Sequence, residues 1–449
     1  MFQFNLRNQR MSTELPLLRI RPIRWRNGER FAMLINADTG MPLLVPTIFA
    51  MATLRQKDLS FAAINQAMYA VRILIHYTYV MGIDLWERIH LEGKLLHLNE
   101  VEKLGSLCRL YNGALENELR SMLTAVNLAS KKSNVVELYR ARPKKRKIPH
   151  VDRGTTNIRL TYIHEYLKWI SDREIIKMAD GRSNYQDVRD NINLSLSALK
   201  AKKTKDRDRN TVNVRKKGLS EDVIARIHEV IDPNSEENPW RRGFNRYRNR
   251  LYIYWLLELS LRRGEALGVM LEDLDVAGEK FQVMRRPDNP KDSRGIYAPL
   301  TKTRDRVLKI SGALLEYTEE YLTMRRAFLN ADRHGYLFVS SWSGDPISVS
   351  AARDIFKALR KKVPELPNLS AQILRHTWNT LFTKHAYRTN MPDKKRLESM
   401  RNQNGWSDIS AMPDYYSIAA IEEEAQKVSL EVQTEIHGLR KEGRSGKSN

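Results

Sequence analysis

Three short segments in the second half of the chain combine residue types that can do chemistry. The first is Leu259-Ser260-Leu261-Arg262-Arg263-Gly264-Glu265-Ala266-Leu267, followed by Asp273-Leu274-Asp275. An arginine and a glutamate three apart share one helix face, and alone this reads as a surface salt bridge. The second is Ile373-Leu374-Arg375-His376-Thr377-Trp378-Asn379-Thr380. It sets a cation and an imidazole inside an otherwise apolar helix start, and alone His376 reads as a hydrogen-bonded core histidine. The third is Gly405-Trp406-Ser407-Asp408, with Tyr415 and Tyr416 nine and ten residues after the tryptophan. Guanidinium forks bind oxyanions, and an activated phenol is a nucleophile. Singly the segments are weak signals; in this order on one chain they are a strong one.

The elements that must position these groups follow from pattern and composition. With 449 residues, the chain has room for two or three domains and at least one sizeable core. Hydrophobic residues make up 42%, which excludes a disordered chain. From about 44 to 200 the pattern is helical: Ile64, Met68, Val71, Leu74 and Ile75 recur at helix spacing, as do Leu160, Ile163, Leu167 and Ile170. A basic stretch poor in large apolar residues, Lys200 to Lys217, reads as an exposed linker. Ser220 as N-cap, with Glu221 and Asp222 in the first turn, opens a second domain. There a long helix is expected from Tyr247 to about Gly268, then β-prone pieces at Lys280 to Arg286 and Gly295 to Ile310, with turns marked by Pro287, Pro290 and Gly295. Helices return at Ala313 to Leu329, Ala351 to Leu359 and Ser370 to His385. The expected organisation is a basic segment or arm (1–43), a helical domain (44–205), a linker (206–217), an α+β domain (218–430) and a tail (431–449). The fold class is mainly α with a small antiparallel β-sheet.

Charge narrows the partners. Lys and Arg outnumber Asp and Glu by 76 to 53, giving +23 and a pI near 9.9. Nucleic acid is the first candidate, because cations that neutralise phosphates release condensed counterions; a merely basic or membrane-surface protein is the bland alternative. The run Arg140 to Lys147, with Lys144, Lys145, Arg146 and Lys147, reads equally as a phosphate-binding loop and as a solvated one. Cys108 is the single cysteine, so neither a disulfide within the chain nor a cysteine-type zinc cluster is possible, which suits a reducing cytoplasm. Met1 to Arg30 has no signal-peptide pattern, and no stretch approaches the roughly 18 apolar residues of a membrane span.

Taken together, the three segments resemble the boxes of the tyrosine recombinases, the phage integrase family that includes Cre- and lambda-integrase-like enzymes. Ser260-Leu261-Arg262-Arg263-Gly264-Glu265 with Asp273-Leu274-Asp275 resembles the first box. Gln372-Ile373-Leu374-Arg375-His376-Thr377 resembles the second. Gly405-Trp406 with Tyr415 resembles the third in its Cre-like form. The match covers about 217 to 430; over 44 to 200 the likeness is one of architecture, a helical core-binding domain preceding the catalytic one.

The resemblance implies an enzyme that cuts and rejoins DNA through a 3′-phosphotyrosyl link, without metal, cofactor or ATP. Tyr415, at the nine-residue spacing, would be the nucleophile, with Tyr416 as the alternative. Arg262 and Arg375 would neutralise the transition state, and Glu265 would orient the active-site arginine and histidine. A hairpin lysine would protonate the leaving oxygen: Lys302, within Lys302-Thr303-Arg304-Asp305-Arg306, is preferred to Lys291. Trp406 would pack the site and donate its indole N–H. Gln372 stands where the family usually has histidine; its amide can donate to a phosphate oxygen but cannot shuttle a proton near neutral pH. Lys144, Lys145, Arg146, Lys147, Lys202, Lys203 and Arg263 would contact DNA. The implied partner is double-stranded DNA at recombination or attachment sites of a mobile element, bound as a tetramer on synapsed DNA and a monomer or dimer off it, in a prokaryotic cytoplasm. A type IB topoisomerase and a catalytically silent DNA-binding protein of the same fold are the competing readings.

Overall fold

The computed structural model describes residues 14–131, 149–178, 185–204, 218–241, 243–286, 288–299, 304–365 and 368–445. Lys144 to Lys147 and Lys302 lie outside them. The chain divides into two compact units, residues 1–25 with 30–206, and 207–449 with the turn 26–29.

The first unit opens with an antiparallel hairpin, β1 (Leu18–Arg24) and β2 (Arg30–Asn36), in register from Leu18 opposite Asn36 to Arg24 opposite Arg30. Among the described residues seven α-helices follow: α1 (Leu44–Phe49), continued by a π-helical segment Ala50–Arg55, α2 (Phe61–Met81), α3 (Leu85–Glu92), α4 (Leu98–Leu107), α5 (Asn112–Lys131), α6 (Arg153–Met178) and α7 (Tyr185–Ala201). The longest of the early ones, α2, starts where the Ser60 hydroxyl accepts from the Ala63 N–H and stops at Gly82, whose φ of +63° costs glycine little. Its buried residues Ile64, Met68, Val71 and Leu74 meet Leu160, Ile163, Leu167 and Ile170 of α6 in one hydrophobic core, the two stripes marked by helical spacing. Leu18, Phe31, Leu34 and Leu43 belong to the same core. The segment 1–43, which sequence pattern left unclassified, therefore contributes a packed hairpin.

The second unit is built around α9 (Gly243–Glu258), preceded by α8 (Glu221–Ile231). Every residue from Leu251 to Leu257 is buried, the mark of a helix surrounded on all sides. After it come α10 (Arg263–Gly268), a sheet of β3 (Leu274–Asp275), β4 (Lys280–Val283) and β5 (Arg306–Lys309), and then α11 (Gly312–Arg325), α12 (Val349–Lys362), α13 (Ala371–Arg388), α14 (Asp393–Asn404) and α15 (Met412–Ser445). The sheet order is β3-β4-β5, with Phe281 opposite Leu308 and Val283 opposite Arg306. Two expectations are corrected. The single helix from Tyr247 to Gly268 is interrupted, because Ser260 takes a left-handed φ of +53° and reverses the chain. Among the described residues of the β-prone stretch 295–310 there is a 3-10 turn at Gly295–Tyr297, and only Arg306–Lys309 forms a strand.

Candidate active site

The site is assembled at the reversal between α9 and α10. Ser260 is fully buried; its carbonyl accepts from Nη1 of Arg375, and its hydroxyl donates to Oδ1 of Asn404 at 3.0 Å. Arg262 is extended at the N-cap of α10. Glu265, at the third position of that helix, reaches back to accept its backbone N–H at 2.9 Å, half of a capping box. Arg262 thus belongs to the cap and not, as its spacing suggested, to a continuous helix face.

Both box arginines converge on one carbonyl. Nη1 of Arg262 donates to Asn404 O at 3.0 Å, and Nη2 of Arg375 donates to the same oxygen at 2.9 Å. Asn404 closes α14, which ends at Gly405 with φ of +60°. The guanidinium groups therefore sit at the negative end of that helix dipole, where cations are favoured. Behind them Asn404 and Asn379 exchange side-chain amide hydrogen bonds of 2.8 and 3.2 Å, both residues fully buried.

Glu265 is the shared anion. Its fully buried carboxylate lies 2.9 Å from Arg306, 3.3 Å from Arg262 and 3.8 Å from Arg375. Arg306 points inward from β5 and also donates from Nε to Gln403 O at 2.8 Å. Three guanidinium groups surround one carboxylate. Burial, followed by repulsion from Arg262, holds Arg375 well below the usual arginine value; burial also lowers Arg262, with Glu265 pulling the other way. Both shifts measure the cost of crowding cations away from water, a cost that a bound oxyanion would relieve.

The tyrosines lie in the first turns of α15. Tyr416 is 3% exposed. Its ring stacks on Trp406 with centroids 6.0 Å apart and planes 13° apart, and the Arg375 guanidinium lies 5.5 Å from the centroid of the same indole. Its hydroxyl is hydrogen-bonded to Nδ1 of His376. Burial pushes the phenol well above its usual range, with Arg375 and Arg262 pulling the other way. Tyr415 is half-buried and meets Tyr416 edge-on at 5.3 Å. Gln372 is exposed one turn before His376, with its amide nitrogen 3.2 Å from Nε2 of that ring.

Arg262, Glu265, Arg375 and Trp406 are thus together, with Tyr415 and Gln372 at the edge of the cluster. Arg263 is exposed on α10, and Lys291 is exposed in the turn before residue 295. Lys202 and Lys203 belong to the first unit, where Lys202 pairs with Glu102 at 3.1 Å. Sequence reasoning did not single out Arg306, Ser260, Asn379 or Asn404, nor the His376–Tyr416 contact. Only Arg306 carried a signal: it falls on the arginine of the Lys-Thr-x-x-Arg stretch quoted above. Beside the cluster, a cleft of about 360 Å³ opens between Arg304, Arg306, Arg401, Trp406 and Asp408.

The model of the phage integrase family matches residues 217–422, which hold every group of this cluster. None of the curated proteins matches the chain. Among solved structures, the chain is similar to XerA recombinase at 16% identity, with a TM-score of 0.34, over 86% of this chain and 98% of that one. It is similar to the Tn1549 transposon integrase in complex with circular intermediate DNA at 16% identity and a TM-score of 0.39, over 79% of this chain and 98% of that one. A third likeness is to the XerH site-specific recombinase bound to a palindromic difH substrate, at 15% identity and a TM-score of 0.37, over 81% of this chain and 95% of that one. With its boxes gathered around one carboxylate inside the matched segment, residues 217–422 carry a phage integrase family domain.

Proposed function

We propose that this chain is a tyrosine recombinase that acts at specific DNA sites of a mobile genetic element, cutting and rejoining strands through a covalent link to Tyr415. The observation that carries the reading is the convergence of Arg262, Arg375 and Arg306 on Glu265 beside the tyrosine-bearing start of α15. The Tyr415 oxygen attacks the scissile phosphorus, and its proton leaves to solvent. The bond to the 5′-oxygen breaks, and that oxygen takes a proton from Lys302. Arg262 and Arg375 hold the charge that builds on the non-bridging oxygens, in a preorganised site that needs no reorganisation at the moment of reaction. Attack by a 5′-hydroxyl of the partner strand reverses these steps and completes exchange, so the phosphotyrosyl bond conserves the energy of the one that was cut.

Tyr415 rather than Tyr416 is assigned to attack on spacing and on access: Tyr415 is half-buried, whereas Tyr416 is 3% exposed. Excess positive charge supplies the affinity for DNA. On synapsed sites the working unit would be a tetramer, in a prokaryotic cytoplasm and on the nucleoid when bound. Among the described residues no helix is long and apolar enough to cross a membrane.

A nicked suicide substrate built from the ends of the DNA element that carries the gene tests the reading. Wild-type protein should trap as a covalent adduct, in excess chelator as well as without it. Absence of the adduct would refute the mechanism. Supercoil relaxation without exchange between two sites would move the protein to the topoisomerases.

A further inference from the structure

Box two and the tyrosine helix are joined by a chain of side chains that the strand-transfer chemistry does not itself require. Gln372 and His376 lie one turn apart on α13, with 3.2 Å between the amide nitrogen and Nε2. On the other side of the ring, Nδ1 is hydrogen-bonded to the hydroxyl of Tyr416 on α15. Tyr416 in turn stacks on Trp406, which carries the Arg375 guanidinium near its other contacts. Arg375 and His376 are neighbours on α13, and Tyr415 and Tyr416 are neighbours on α15.

We infer that Gln372, His376 and Tyr416 form a positioning relay that locks the tyrosine helix to the arginine helix and so sets the approach of Tyr415 to the phosphate. The inference rests on the proposed cleavage through Tyr415. Its geometry is helical: successive residues of α15 point about 100° apart. Fixing the Tyr416 phenol in the interior therefore fixes the direction in which Tyr415 leaves the helix. Burial strengthens the lock, because Tyr416 and His376 are 3% and 6% exposed, and a buried polar group that loses its partner finds no water to replace it. With the amide nitrogen of Gln372 donating to Nε2, the ring proton sits on Nδ1 and is donated to the phenol oxygen. Glutamine also carries an acceptor on the same amide. A half-turn of that amide suits the other tautomer, in which Nε2–H donates and the phenol O–H donates to Nδ1. A glutamine at this position therefore keeps His376 satisfied and in place whichever nitrogen holds the proton. Tyr416 and Gln372 are positioning residues on this reading, and neither touches the reacting atoms.

The test is single-turnover cleavage of the suicide substrate by the full chain, with DNA affinity and the adducted peptide measured in parallel. Tyr416→Phe should bind DNA within about twofold of wild type, cleave about tenfold more slowly, and still place the DNA on Tyr415. Amide exchange over 412–417 should quicken in this variant. Gln372→Met, at an exposed position that leaves the core intact, should slow cleavage in the same direction at unchanged thermal stability. Gln372→His, which restores a ring with both donor and acceptor capacity, should recover most of the rate. Wild-type cleavage rates in both Tyr416→Phe and Gln372→Met would overturn the relay. DNA mapped to Tyr416, with no adduct in Tyr416→Phe, would also overturn it, since the buried phenol would then be the nucleophile. A wild-type protein that forms no adduct at all would instead refute the cleavage reading.

Discussion

The two box arginines differ in what they hold together. Arg375 has a side chain only 3% exposed and fills two backbone acceptors, Ser260 O and Asn404 O. Arg262 has a side chain 32% exposed and donates to Asn404 O, which Arg375 also serves. Arg375→Ala should therefore abolish cleavage and also destabilise the fold, by about 1–3 kcal/mol for the stranded buried carbonyls. Arg262→Ala should abolish cleavage with little loss of stability and with DNA affinity largely intact; an equal stability loss in both, by chemical denaturation, would refute the distinction. Crowded cations also predict anion binding. Sulfate or phosphate should raise the melting temperature of the wild type, by the equivalent of about 1.4 kcal/mol at tenfold excess over Kd, and by much less in Arg262→Ala. The box residues themselves were legible because each carries an unusual type at a fixed spacing. Arg306 was harder to see, since its meaning depends on β5 alternation turning residue 306 inward beside Glu265. Asn379 and Asn404 gave no sign at all, because an asparagine pair that meets across two helices leaves no pattern along one chain.

Among the elements, most helices follow from apolar spacing and end near where pattern places them, whereas the reversal at Ser260 does not. Leu256 to Leu261 reads as uninterrupted helix, and serine is not a residue that announces a left-handed φ. What imposes it is tertiary: the Ser260 carbonyl is turned onto Arg375 and its hydroxyl onto Asn404. The backbone argument makes a prediction of sign. Inside a helix, alanine is more stabilising than glycine by up to about 1 kcal/mol. At φ of +53° the order should invert. Ser260→Ala and Ser260→Gly both delete the hydroxyl, so their difference isolates the backbone. Ser260→Gly should be the more stable variant by about 1 kcal/mol. Alanine coming out ahead in denaturant melts would restore the continuous helix. The N-terminal hairpin escaped the sequence reading for a related reason. Arg19, Arg21 and Pro22 interrupt its apolar residues, and Leu18, Phe31, Ala32 and Leu34 supply its buried share of the core with α2 and α6.

At the scale of the whole molecule, the excess of 76 cations over 53 anions should appear as a steep fall of DNA affinity with salt. Changing Lys144, Lys145, Arg146 and Lys147 together to alanine should flatten the slope of log K against log salt by up to about 3.6 if all four meet phosphates; an unchanged slope would make the run a solvated loop. The far end of the chain raises a different question. Helix α15 runs 34 residues from Met412, and in the single chain Ile421, Val428, Val432 and Ile436 are between 46% and 59% exposed. Their spacing of seven, four and four residues draws a stripe along one helix face. A stripe of that kind on a lone chain is favourable only if something covers it, and the strand exchange proposed above would bring several copies of this chain together. Cleavage and exchange should therefore separate. Changing Val428, Val432 and Ile436 to Asp alters only exposed positions, so the fold and the covalent adduct on a half-site substrate should persist. Exchange between two full sites, scored by recombinant product, should fall at least tenfold, and the protein should assemble poorly on paired DNA in sedimentation. Undiminished exchange by the triple variant would show that the stripe is solvent-facing in the working complex, leaving assembly to surfaces elsewhere on the chain.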